Sequence, residues 1–121
     1  MKTPAKTADQ QQAHTIDFDA IMVDLDDEPI IDGRAKAEQK PLTLASICEQ
    51  VLSIDFAGEA VNGPEKLRRA RLAGLIHRKR QLVLKAEDVT LVKILVAKGW
   101  PPLIVMRAYP LLDPAEAEPA D

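Results

Sequence analysis

The residues best placed to do chemistry sit in one short run, Met22-Val-Asp-Leu-Asp-Asp27, followed by Glu28. An aspartate at the end of an apolar stretch, with a second aspartate two residues on, can act as nucleophile and acid/base on a phosphoryl group held by Mg²⁺. Such a motif continues into Gly-Thr; here Asp27-Glu28 stands in that place. The same acids could hold Ca²⁺. With Asp24 as position 1 of a cation-binding loop, however, Pro29 falls where the turn needs Gly and Ala35 where a bidentate Glu must close the shell. An acidic turn kept in water by its charges is the simpler reading. His14 and His77 are far apart and Cys48 is the lone cysteine, which excludes an internal disulfide and argues against a structural zinc site. Cys48 falls on an apolar helical stripe and reads as a core residue rather than a nucleophile. No Gly-rich phosphate loop or nucleophile elbow occurs. No catalytic residue, metal ligand or cofactor is therefore assigned, and the protein is not expected to be an enzyme.

The second chemical resource is charge, which is sorted along the chain. Residues 1–63 carry a net −7, residues 64–98 a net +7 and residues 99–121 a net −3. The cations of the middle block include Lys66, Arg68, Arg69, Arg71, Arg78, Lys79 and Arg80. They could bind phosphates or an acidic partner surface. Three features weigh against nucleic acid: a pI near 5.4, the lack of interleaved aromatics, and clustering at the two ends of a helix rather than along one face.

The elements that must position these groups are mostly helical. Only Phe18, Phe56, Trp100 and Tyr109 are aromatic, so the core must come from Leu, Ile, Val and Ala. Leu44, Ile47, Cys48, Val51 and Leu52 form a complete stripe at i, i+3, i+4, i+7 and i+8, with Thr43 as N-cap and Ser46/Glu49 as a competing capping box. Asn62-Gly63-Pro64 opens a second helix to about Lys79, and Gln81 to Leu84 reads as an extended link. Glu87 and Asp88 start a third helix with Val89, Leu91, Val92, Leu95 and Val96 on one arc and Lys93 opposite, ended by Gly99 as C′ residue. Leu103 to Tyr109 is a short apolar helix stopped by Pro110. With Trp100, its residues Leu103, Ile104, Met106 and Tyr109 are expected to complete the core or an oligomer interface. Before the helices, Ile16 to Leu25 and Pro29 to Ile31 flank the acidic turn as a β-hairpin.

The expected architecture is mainly α: a small bundle of about four helices with an N-terminal hairpin (15–34) in one domain (15–113). Residues 1–14 read as a disordered arm and 114–121 as an acidic disordered tail. Met1 to Gln12 has no apolar h-region, and no run approaches the ~20 apolar residues of a membrane span. A cytoplasmic location, in contact with no membrane, is expected.

Two resemblances bear on function. The Asp24-x-Asp26 pair resembles the nucleophile motif of haloacid dehalogenase-like enzymes, but the chain lacks the repeated βα units of that fold. More broadly, the chain is similar to small, mostly uncharacterised proteins of tailed bacteriophages and prophages. The residues that carry this are Asp24-Leu-Asp-Asp-Glu-Pro-Ile-Ile, Pro41-Leu-Thr-Leu, Lys66-Leu-Arg-Arg-Ala-Arg-Leu-Ala73 before Ile76, Glu87-Asp88 with Val92-Lys93, and Pro102-Leu-Ile-Val105. Two positions depart from it: Asp27 where Gly is expected in the turn, and Lys85 where Ser or Thr would cap the third helix. The resemblance implies a protein-interaction module of the bacterial host cytoplasm, acting in virion assembly or on a host or phage protein. It implies no catalytic residues. A nucleic-acid-binding regulator using residues 64–80 is the alternative.

Overall fold

The computed structural model describes residues 14–33 and 39–117. The expected disordered arm lies outside the described residues apart from His14, as do residues 118–121 of the expected tail. Four helices form the body: α1 (Leu44–Leu52), α2 (Gly63–Lys79), α3 (Ala86–Gly99) and α4 (Pro102–Leu112). Two short strands, β1 (Ile16–Asp17) and β2 (Gln81–Leu82), pair antiparallel. The mainly helical fold with N-terminal antiparallel pairing is the one the sequence predicts.

Helix α1 is the centre. Of its nine residues, Leu44, Ala45, Ile47, Cys48, Val51 and Leu52 are buried, as the apolar stripe requires. A helix start this deep must satisfy its first amides without water. The N-terminal segment does so: Leu44 N–H donates to Ala20 O (2.9 Å) and Ala45 N–H to Phe18 O (2.8 Å). Thr43 Oγ1 accepts from Ser46 N–H at 3.2 Å, so the Thr43 cap prevails over the competing Ser46/Glu49 box. Helices α2 and α3 pack on α1, and α4 packs on α3. Asn62 caps α2 as expected, its Oδ1 accepting from Glu65 N–H at 2.9 Å.

The expected hairpin is built differently from a simple two-strand ladder. Its first residues pair with the link after α2, with Ile16 opposite Leu82 and Asp17 opposite Gln81. Beyond them, three segments close on each other through antiparallel bridges Ile21–Thr43, Val23–Pro29 and Ile31–Pro41. Met22 N–H donates to Leu42 O (2.8 Å), Leu42 N–H to Ile30 O (2.7 Å), and Ile30 N–H to Met22 O (2.9 Å). Each segment thus gives and receives a bond in a closed triangle, and the arrangement leaves no long unpaired edge. The acidic turn joins two of its sides. Asp27 stands there at φ +63°, a left-handed conformation that explains why Gly is the expected residue and that Asp tolerates better than most.

Two helix ends and the start of the tail differ from expectation. Gly99 is the last residue of α3 rather than a left-handed C′ residue, and Trp100 is the cap. Its lack of a side chain serves packing: a Cβ there would lie 2.7 Å from Val51 Cγ1 of α1. Pro110 does not stop α4, which runs on to Leu112. It removes a single donor within the last turn, and the chain continues because Leu112 is fully buried and Asp113 N–H still reaches Tyr109 O at 2.9 Å. The start of the expected acidic tail is ordered: Pro114–Glu116 form a 3-10 turn, capped by Asp113 Oδ1 accepting from Ala115 N–H at 3.0 Å.

Gly99→Ala tests the close approach of α3 to α1. Alanine is favoured over glycine in a helix interior by about 1 kcal/mol, while overpacking costs about 1–3 kcal/mol. The variant should melt below wild type, by roughly 5 °C per kcal/mol of net loss. In a Val51→Ala background the added methyl has room, and its further cost should shrink or vanish in thermal melts.

Candidate functional site

The seven candidate cations divide into engaged and free groups. Arg69 is only 8% exposed although it lies on a charged helix. Its Nη1 and Nη2 each sit 3.1 Å from one oxygen of Glu59, and its Nε lies 3.0 Å from Glu65 Oε2. Lys98 adds a contact to Glu59 at 3.3 Å. Hydrogen bonding to Arg69, then to Lys98, holds the Glu59 carboxyl below the usual carboxylate range. Bonds to Arg69 and then Arg68 do the same for Glu65.

Arg68 reaches Asp88 Oδ1 (2.8 Å) and Glu87 O (3.4 Å), tying α2 to the first turn of α3. This compensates for Lys85, which makes no side-chain cap there. Lys66 pairs with Asp55 at 3.4 Å across solvent. Arg80, at φ +65°, lies 3.5 Å from Asp19 and donates to His77 O. Among the described residues, Arg71, Arg78 and Lys79 have no ion-pair partner, and all three are exposed. The structure therefore does not bring the seven cations together as one surface.

The C-terminal candidates also separate. Ile104 is core, 5% exposed. Trp100 is half-buried, its Nε1 donating to Ile47 O at 3.3 Å. Tyr109 OH donates to Lys93 O at 2.9 Å, with the Lys93 ammonium 5.2 Å from the ring centre. These residues complete the core. Leu103 and Trp100 line an open cavity of about 470 Å³ with Ile30, Ile31 and Leu42. Met106, 37% exposed, lines a separate cleft of about 300 Å³ beside Ile21 and Arg107.

Sequence reasoning missed several groups. Lys93, expected to oppose the core on the solvent side of α3, is largely covered by α4 and pairs with Asp113 (3.1 Å) and Glu116. Burial opposes its charge, but Glu116 and Asp113 outweigh that and its ammonium is held above the ordinary range. Burial likewise works to raise the Asp113 carboxyl, while the Ala115 N–H and Lys93 bring it below. Arg107 donates to Val23 O (3.2 Å) and Asp24 O (2.7 Å) and lies 3.4 Å from Asp27 Oδ1. It clamps the acidic turn onto α4. Glu65 could have been found from its i,i+4 spacing to Arg69; Glu59, Asp113 and Arg107 act across elements and carry no local signal.

The acidic turn is internally ordered. Asp24 Oδ1 accepts from the N–H groups of Asp26 (2.8 Å) and Glu28 (3.0 Å), and Asp24 N–H donates to Glu28 O. Among the described residues, no three of His, Cys, Asp or Glu are grouped so as to hold a metal ion. Cys48 is buried and its thiol is pushed well above the ordinary range, first by burial and then by Glu49. His77 Nδ1 lies 3.3 Å from Glu49 Oε1.

The chain matches no protein-family model, no curated protein and no solved structure. Among the described residues no helix is long and apolar enough to cross a membrane.

The Arg69 cluster has a pH signature. Carboxyls held below their ordinary value contribute stability above that value and lose it as pH falls through the folded one. Arg69→Met should therefore lower the melting temperature at pH 7 and differ less from wild type at about pH 3, below the ordinary carboxyl value, where the unfolded chain takes up protons and the stabilisation is being lost. A gap that stays constant across that range would mean Arg69 acts through packing alone.

Proposed function

We propose that the protein is a non-enzymatic protein-interaction module of phage or prophage origin. It works in the cytoplasm of the bacterial host, in virion assembly or by modulating a host or phage protein. The observation that carries the reading is the division of charge after folding. Lys66, Arg68, Arg69 and Arg80 pair within the chain, and among the described residues this leaves Arg71, Arg78 and Lys79 on α2 as cations available to meet an acidic surface. The nucleic-acid alternative loses most of its phosphate ligands to those internal pairs, and no Phe, Tyr or Trp lies on α2 to stack on a base. The origin and setting rest on the resemblance carried by the Asp24–Ile31, Pro41–Leu44 and Lys66–Ala73 segments.

A photo-crosslinking residue at position 71, in the full chain produced in a bacterial host, tests this directly. The expected result is a discrete protein adduct, with no retardation of duplex or single-stranded DNA by the purified protein at roughly 50 mM salt, where phosphate contacts are strongest. Adducts to nucleic acid alone, together with retardation at that salt, would establish the alternative.

A further inference from the structure

The free cations of α2 have a counterpart on the same chain. The acidic turn presents Leu25, 76% exposed and the most exposed of the large hydrophobic residues described. Beside it, Asp26 and Glu28 engage Asp24 through backbone groups alone, and their carboxylates carry no ion pair among the described residues. The turn is held rigid by Asp24 from within and by Arg107 from α4. A preorganised loop loses little conformational freedom when it binds.

On α2, Leu67, Arg71, Gly74 and Arg78 follow at spacings of four, three and four and so share one face. That face points away from the core: Leu67 is 50% exposed, whereas Arg69, Leu72, Ala73 and Ile76 face inward. A Cβ at Gly74 would lie 3.2 Å from Arg78 Nη1, so the missing side chain lets that guanidinium lie back over the helix. The result is an apolar spot followed by two arginines whose Cα atoms lie about 10 Å apart along the axis. The turn offers the complement, one leucine with two carboxylates. Within one chain the two surfaces do not meet, because the turn is clamped to α4 while α2 packs on α1.

We propose that a second copy of this chain is the partner. The turn of one copy (Leu25, Asp26, Glu28) docks on the outer face of α2 (Leu67, Arg71, Arg78) of the next. The contact joins different surfaces of the two copies, so it is head-to-tail and propagates into a ring or a chain. The proposal deepens the protein-interaction reading and rests on it.

Sedimentation of the full chain tests the idea. At roughly 20 mM salt the average mass should rise above the 13.3 kDa monomer with concentration, and it should return toward the monomer at about 500 mM, where exposed charges are screened. The double variants Asp26→Lys/Glu28→Lys and Arg71→Glu/Arg78→Glu should each weaken association roughly tenfold or more. Their unchanged circular dichroism and melting would show that both fold. Mixed in equal amounts, the two should associate again, because each reversed surface then meets its complement. Leu25→Ser should weaken association without altering its salt dependence. A monomeric wild type at low salt, association that survives either reversal, or a mixture that stays monomeric overturns the proposal. A monomeric wild type that still crosslinks to a different protein through position 71 removes the second copy as partner and leaves the interaction reading standing. Crosslinks to nucleic acid alone remove both.

Discussion

Enclosing α1 is the constraint on which the remaining structure depends. Six of its nine residues are withdrawn from water, so apolar atoms must cover it on nearly every side. No single neighbour can do this. Helices α2 and α3 cover two sides, while β1 and the triangle of bridges cover its start, with Phe18 and Met22 fully buried. Burial of the helix start creates a second demand, for acceptors to its first amides. The carbonyls of Phe18 and Ala20 meet it, which fixes where the N-terminal segment must run. On the α3 side, Gly99 lets the backbone approach Val51, and the Trp100 indole closes the gap with its bond to Ile47 O.

Charge then holds the outer elements in place. The loop before α2 is tied down by Glu59, which receives Arg69 and Lys98 together. The end of α4 and the 3-10 turn are held on α3 by Lys93, and the acidic turn on α4 by Arg107. Pairs that are partly withdrawn from water are not large sources of net stability, since desolvation offsets much of the attraction. Their effect here is geometric: each joins elements that apolar contacts alone would leave free to slide. The sorted charge of the chain is thus largely an internal matter. Among the described residues, the charges left without an ion pair include the two carboxylates of Asp26 and Glu28 at the rigid turn and Arg71, Arg78 and Lys79 on α2.

The helices and their starts were legible in the sequence because their causes are local. The stripe Leu44 to Leu52, the caps Thr43 and Asn62, and the acidic start of α3 each depend on residues within two turns of one another. The sign of the middle block was equally plain. Helix ends were read less well, because Gly99 and Pro110 have meanings that depend on neighbours distant in sequence. Gly99 is short of a side chain for the sake of Val51, and Pro110 stays helical because burial of Leu112 carries the chain past it.

By itself, then, the sequence determined the mainly helical class, the apolar faces and the acidic turn, all products of spacing along the chain. Only the tertiary structure decided which charges remain available. Glu59 lies ten residues from Arg69, Asp113 twenty from Lys93, and Asp27 eighty from Arg107. Ion pairing falls off over a few ångströms, so its outcome is set by proximity in space, which periodicity does not encode.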